Sequence, residues 1–270
     1  MTSKLIALDL DGTLLHSDGT ISDYTKKTLK ALEKQGHLPI ITTGRPYRMA
    51  WDYYHELGLS TPMINFNGSL THLPHQNWNK TLSITIDKHY LFSMLDQLEA
   101  FEVDALASEY RRKFYLTTLD DQVIAPELFG VKRFISQMQL QRDKITDDPN
   151  GILFQTHAED KYALGDSMRH YYKDEIEINT WGGPLNILEC SAKGINKAFA
   201  LNYLLDIYQK DRKDLIAFGD EHNDTEMLDF AGLGYAMKNC SPVLLPHADR
   251  QTQWTNDEDG VARTLENLFL

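Results

Sequence analysis

The sequence predicts an α/β protein, a doubly wound, mostly parallel sheet with a second α+β domain inserted into it. Three observations carry that prediction. Two short runs, Leu5-Ile6-Ala7-Leu8-Asp9 and Leu215-Ile216-Ala217-Phe218-Gly219-Asp220, are apolar on both faces and close on an acid. Buried parallel strands have this form, and their carboxyl ends are where ligands bind in open α/β sheets. Strand and helix signals alternate through the first 70 residues, the order of a sheet with crossover helices. The alternation lapses between about Leu82 and Leu188 and then resumes.

Taken in order, Ser22 is placed to cap a helix running to Gln35, with Gly36 as its stop. His37 to Ile41 is a second strand, ending in Thr42-Thr43-Gly44-Arg45, and Pro46 suits the first turn of a helix to about Leu57. Pro62 to Phe66 is a third strand, followed by Asn67-Gly68, whose default reading is a turn. In the middle, helices are expected at 88–102, 126–142 and 159–172, and strands at 82–86, 113–118, 152–156, 175–181 and 185–189. Several of these strands alternate polar and apolar residues, as half-buried antiparallel strands do. Trp181-Gly182-Gly183-Pro184 reads as a turn between two of them. The core is therefore expected over 1–82 and 188–270, with the insert over 83–187. Residues 194–208 form an amphipathic helix with Ile195, Ala198, Phe199, Leu201 and Leu205 on or near one face. A strand at 233–237 and a helix at 257–269 close the chain.

Composition narrows the function classes. Across 270 residues the chain is 42% hydrophobic and 24% charged, ordinary globular values. The formal net charge of −12 argues against a nucleic-acid binder, which needs a basic stripe. It leaves open a small anionic substrate, which needs only a local positive site. Cys190 and Cys240 are the two cysteines, too few for a disulfide framework or a thiolate zinc site. The first apolar run is cut by Asp9 and Asp11, unlike a signal peptide, and no stretch approaches a membrane span. A cytoplasmic protein is expected.

Four places share one address, the carboxyl ends of the parallel strands: Asp9 and Asp11, Thr43-Gly44, Asn67-Gly68, and Asp220 with Asn223 and Asp224. If the strands are neighbours, Asp9, Asp11, Asp220 and Asp224 converge. Two carboxylates about 4 Å apart at an effective dielectric near 20 repel by roughly 4 kcal/mol. Such a cluster suits a hard divalent cation, and an oxygen-only ligand set selects Mg²⁺ over zinc. Mg²⁺ at such a site takes substrate phosphate oxygens. The Thr43 hydroxyl, the Gly44 amide, the amides of the Asp9–Gly12 loop and the Lys193 ammonium are donors suited to a phosphoryl group. One carboxylate is then left to attack phosphorus.

These motifs together resemble the haloacid dehalogenase superfamily, specifically its Cof-type sugar-phosphatase branch with a class IIB (C2-type) cap. The resemblance rests on Asp9-Leu10-Asp11-Gly12-Thr13-Leu14, Thr43-Gly44-Arg45, Lys193-Gly194, and Gly219-Asp220-Glu221-His222-Asn223-Asp224 with Met227. It extends to Ala236-Met237-Lys238-Asn239 and Asn256-Asp257-Glu258-Asp259-Gly260-Val261-Ala262. Lys238 and Cys240 depart from the residues common in that family, with no catalytic consequence. The resemblance implies a Rossmann-like core and a role for each matched residue. Asp9 is the nucleophile and an Mg²⁺ ligand. Asp11 is the general acid and base, lending its backbone carbonyl to the metal. Leu10 (through its amide), Thr43, Gly44 and Lys193 bind the phosphoryl group. Asp220 is a direct metal ligand, and Asn223 and Asp224 complete the metal and phosphate shell.

Singly, each motif has a plainer reading. Asp-x-Asp-Gly can open a calcium loop, but Gly12 comes too early and no Glu closes twelve residues. A lone lysine such as Lys193 is most often a solvated one, and the histidines show no metal-ligand spacing. In this order, each at a strand end or helix start, the motifs predict an Mg²⁺-dependent phosphatase of small phosphorylated metabolites, sugar phosphates foremost. It would work as a monomer or weak homodimer, without nucleic acid or membrane. The alternatives are a phosphomutase of the same superfamily and a non-catalytic regulator that binds a phospho-ligand.

Overall fold

Leu5, Ile6, Ala7 and Leu8 form strand β1 (Leu5–Leu8), and all four side chains are buried on both faces of a sheet. The structure, a computed structural model, describes residues 3–181 and 185–270. β1 is flanked by β2 (Leu38–Ile41) and β11 (Leu215–Gly219), both parallel to it. The sheet continues through β12 (Leu233–Ala236) to a short β13 (Arg250–Gln251), also parallel. Its order is β13-β12-β11-β1-β2. β3 (Met63–Asn65) meets β2 by one parallel bridge between Thr42 and Ile64 and turns back into β4 (Leu70–His72).

Helices follow the strands as the alternation requires. α1 (Asp23–Lys34) begins at Ser22, whose hydroxyl accepts from the Thr25 amide at 3.0 Å. α2 spans Tyr47–Leu57, α5 Lys197–Tyr208, α6 Thr225–Phe230 and α7 Gly260–Phe269. Leu5, Ala7 and Ala217 pack with Leu201, Leu204 and Leu205 of α5 and with Met227 and Leu228 of α6. α1 pairs with α7.

The inserted region has its own sheet. β6 (Val103–Tyr110), β7 (Lys113–Leu116), β8 (Gly151–Thr156), β9 (Ile176–Thr180) and β10 (Ile187–Ala192) run in the order β7-β6-β8-β10-β9, antiparallel throughout. α3 (Lys88–Asp96) and α4 (Lys161–Tyr171) supply Leu91, Met94 and Met168 to a cluster with Leu106, Phe154 and Leu188. A two-residue strand, β5 (Leu82–Ser83), stands where the chain enters this region.

The chain divides into one unit of residues 1–45, 50–82 and 196–270 and another of 46–49 and 83–195. The return crossing falls after Ile195, not at 187/188, because β10 is hydrogen-bonded on both sides within the antiparallel sheet. α2 starts in the second unit and continues in the first.

The expected helix over 126–142 does not form. Pro126–Phe129 makes one tight turn and ends at Gly130 in a left-handed conformation (φ 62°). Further on, the Leu140 amide donates to Leu116 at the end of β7 instead of to a preceding turn. Ile124 and Phe129 are buried against Phe114 and Leu116, so packing on the sheet wins over local helix propensity. The helix expected to run to Glu102 stops at Asp96, and the chain from Val103 becomes β6, a strand that alternation did not signal. Gly182, Gly183 and Pro184, part of the expected turn, lie outside the described residues. Among the described residues no helix is long and apolar enough to cross a membrane.

Candidate active site

Register places the site. Leu8 pairs with Phe218 and with Ile41, so the residues just past these strands, Asp9, Asp220 and Thr43, leave the sheet along one edge. After Asp9 the chain makes a wide turn, Leu10–Leu14, closed by Leu14 and Leu15 amides donating to Asp9 and Leu10 carbonyls at 3.2 and 2.9 Å. Gly12 takes φ 66°, and a Cβ built on it would stand 2.1 Å from Asp220 Oδ2. No side chain fits there. Gly219 is equally constrained, since its Cβ would meet Asp224 Cγ at 2.4 Å.

Three carboxylates converge. One oxygen from each of Asp9, Asp220 and Asp224 lies within 4.8 Å of the others, and all three residues are buried. Among them sits one ammonium: Lys197 Nζ is 2.6 Å from Asp9 Oδ1 and 2.6 Å from Asp224 Oδ1, with its side chain wholly buried. Asp224 Oδ2 accepts from the Asp220 and Glu221 amides at 3.0 and 3.3 Å. Asp220 Oδ1 accepts from the Thr13 hydroxyl at 2.8 Å.

Three anions and one cation leave the cluster at −2 when ionised. Burial and then the Asp224 charge push the Asp220 carboxyl up to about 7, and burial raises Asp9 well above the carboxylate range. Burial disfavours the charged Lys197, but Asp224 and Asp9 outweigh it and hold the ammonium protonated. An oxygen-only set with two surplus negative charges fits a hard divalent cation.

The other expected residues divide. Asp11 does not join the cluster. Its carboxylate is largely exposed and takes a bidentate pair from Arg45, Nε at 2.7 Å and Nη2 at 2.5 Å. Leu10 and Thr43 are buried, and the Arg45 amide donates to Thr43 Oγ1 at 3.1 Å. Asn223 turns its amide to Asn67, donating to Oδ1 at 3.1 Å. Asn67 Oδ1 also stands 3.1 Å from where a Gly44 Cβ would be. Asn67 is therefore part of the site's wall as well as a turn residue.

Lys193 is the clear correction. It lies on the inserted unit, half exposed, with Nζ 3.3 Å from Glu177 Oε1. The lysine on the carboxylates is Lys197. Helix α5 begins at Lys197 behind the Asn196 cap, three residues later than the sequence suggested. Spacing held the missed signal: 197, 201, 204, 205 and 208 share a helical face. A lysine on a buried face needs buried anions. Phe199, assigned to that face, is exposed.

A family model described as haloacid dehalogenase-like hydrolase matches residues 6–265. The chain belongs to that family. This haloacid dehalogenase-like hydrolase is 37% identical over 267 residues to the 5-amino-6-(5-phospho-D-ribitylamino)uracil phosphatase YitU of Bacillus subtilis, across 98% of this chain and 97% of that protein. It is 31% identical over 268 residues to a second B. subtilis protein of the same activity name, YcsE, across 99% and 96%. The crystal structure of a haloacid dehalogenase-like hydrolase from Bacteroides thetaiotaomicron superposes with TM-score 0.84 at 26% identity, covering 99% of this chain and all of that one. Like the members it resembles, this hydrolase is a phosphatase of phosphoric monoesters.

Proposed function

We propose that this phosphatase hydrolyses a small phosphorylated metabolite, a sugar or ribityl phosphate, with Mg²⁺ as cofactor and through a phosphoryl group carried on Asp9. The observation that carries this reading is the buried excess of carboxylates at the ends of β1 and β11, with Lys197 bonded to two of them. Bound there, Mg²⁺ would supply charge neutralisation for the cluster and for the phosphoryl oxygens. Asp9 and Asp220 would hold it through their carboxylates and Asp11 through its backbone carbonyl, while Asp224 orients Lys197.

In the first step an Asp9 oxygen forms a bond to phosphorus as the ester P–O bond breaks, and Asp11 gives its proton to the leaving alkoxide. In the second, Asp11 takes a proton from water, whose oxygen bonds to phosphorus as the Asp9 carboxylate departs. The Leu10 amide, Thr43, Gly44 and Lys197 stabilise the phosphoryl oxygens, with Asn223 and Asn67 beside them. Arg45 holds both oxygens of the Asp11 carboxylate, a pair that opens for the proton transfer. Substrate choice falls to the inserted unit, the part of the chain without a catalytic motif.

Two similar proteins carry the name of a ribitylaminouracil phosphate phosphatase, which makes that compound the first substrate to assay. A panel of it, hexose phosphates and an aryl phosphate, with Mg²⁺ and with chelator, tests the reading. Stoichiometric free phosphate, dependent on Mg²⁺, is expected. Conversion of one hexose phosphate to its isomer without phosphate release would show a phosphomutase instead.

A further inference from the structure

We propose that Asn239 and Asn256 form a positioning relay that fixes the Asp9–Leu15 turn in its catalytic shape. The inference rests on that turn being the nucleophile loop. Both residues belong to sequence motifs that the reaction itself leaves without a role. Asn239 follows β12, and its Nδ2 donates to the Gly12 carbonyl at 2.7 Å. Its Oδ1 accepts from the Asn256 backbone amide at 2.9 Å. The Asn256 side chain, buried, donates in turn to the Leu15 carbonyl at 2.9 Å.

The amide orientation follows from the partners. A backbone N–H can only donate and a carbonyl can only accept, so Asn239 Oδ1 must face Asn256 and Nδ2 must face Gly12. The turn's closing bonds run to the Asp9 and Leu10 carbonyls, and the two side chains supply donors to the Gly12 and Leu15 carbonyls. Holding the Gly12 carbonyl fixes the Gly12–Thr13 peptide plane. That plane sets the Thr13 hydroxyl on Asp220 and the left-handed Gly12 against Asp220 Oδ2. The same terminal segment secures the following loop, with Asp257 accepting from the Ser17 amide and hydroxyl, each at 2.7 Å. The relay thus reaches both the nucleophile turn and, through Thr13, a carboxylate of the cluster. An amide is required, because a carboxylate at 239 would keep the Asn256 bond and turn an acceptor on the Gly12 carbonyl.

The test is Asn239→Asp in the full chain, assayed with an aryl phosphate and Mg²⁺, with amide deuterium uptake followed by mass spectrometry. Misplacement of a catalytic group by about 1 Å can cost about a hundredfold. The relay predicts kcat lowered about tenfold or more, KM within about twofold, and faster uptake confined to peptides covering residues 10–15. Ser17→Ala, which removes a hydroxyl bond on the same loop, should leave kcat unchanged. Asn239→Ala, smaller and uncharged, replaces the aspartate variant if that fails to fold. Retention of kcat within about twofold, or unchanged uptake at 10–15, overturns the proposal. If the wild-type chain itself releases no phosphate, the functional reading fails, and uptake alone decides whether the relay holds the turn.

Discussion

Each unit of the molecule buries a charge cluster, and the two differ in balance. In the inserted unit Arg48 Nη2 lies 3.1 Å from both oxygens of Glu109, whose side chain is almost wholly buried. The same guanidinium donates to the Phe129 carbonyl and stands 4.2 Å over the Phe114 ring. One cation meets one anion, Nη1 finds a carbonyl, the guanidinium lies over an aromatic face, and Nε is left buried without a hydrogen-bond partner among the described residues. At the ends of β1 and β11, three carboxylates share one lysine. The first arrangement is balanced in charge and holds structure together. The second is left with surplus charge, which a cation or a proton relieves. Imbalance, more than burial, marks the candidate catalytic site.

Substitutions at the two clusters should therefore fail in different ways. Asp9→Asn, which removes the charge of the oxygen proposed to attack, should cut kcat by at least about a thousandfold while the protein stays folded, checked by steady-state assay and thermal melt. Lys197→Met leaves three buried carboxylates without their cation. It should abolish turnover and lower stability, with Mg²⁺ restoring part of the melting temperature and none of the activity.

In the balanced cluster, Arg48→Met strands Glu109 and should cost about 3–5 kcal/mol of stability by denaturant titration. Arg48→Met with Glu109→Leu should recover most of that loss. Smaller still is a pH effect. His37 is buried, and burial followed by the Lys210 charge lowers its pKa from 6.5. The unfolded chain then binds the extra proton first, so stability falls as pH drops below about 6.5, and His37→Gln should flatten that slope. Lys193→Ala should leave kcat within about twofold, the smallest effect of the set.

Much of the catalytic unit was legible because short-range chemistry dictates it. Acids at the ends of apolar strands, a serine cap at α1 and the order of strands and helices each act locally. Lys197 was missed because Lys193-Gly194 looked like the start of α5, and only the cap at Asn196 moves that start. Asn67 was missed because its backbone is a turn and its side-chain role depends on Asn223, 156 residues away. In the inserted unit the segment after Thr118 follows sheet contacts instead of its own periodicity. Weak strand formers at four of its eight positions, Asp104, Ala105, Ala107 and Glu109, hid β6, although it lies inside the sheet between β7 and β8.

The most direct test of the central claim is acid quench of the wild-type enzyme in turnover with labelled phosphate ester and Mg²⁺, followed by peptide mapping. Label on the peptide carrying Asp9, absent from Asp9→Asn, is the predicted result. Full turnover by Asp9→Asn, or label carried on another residue, would contradict it.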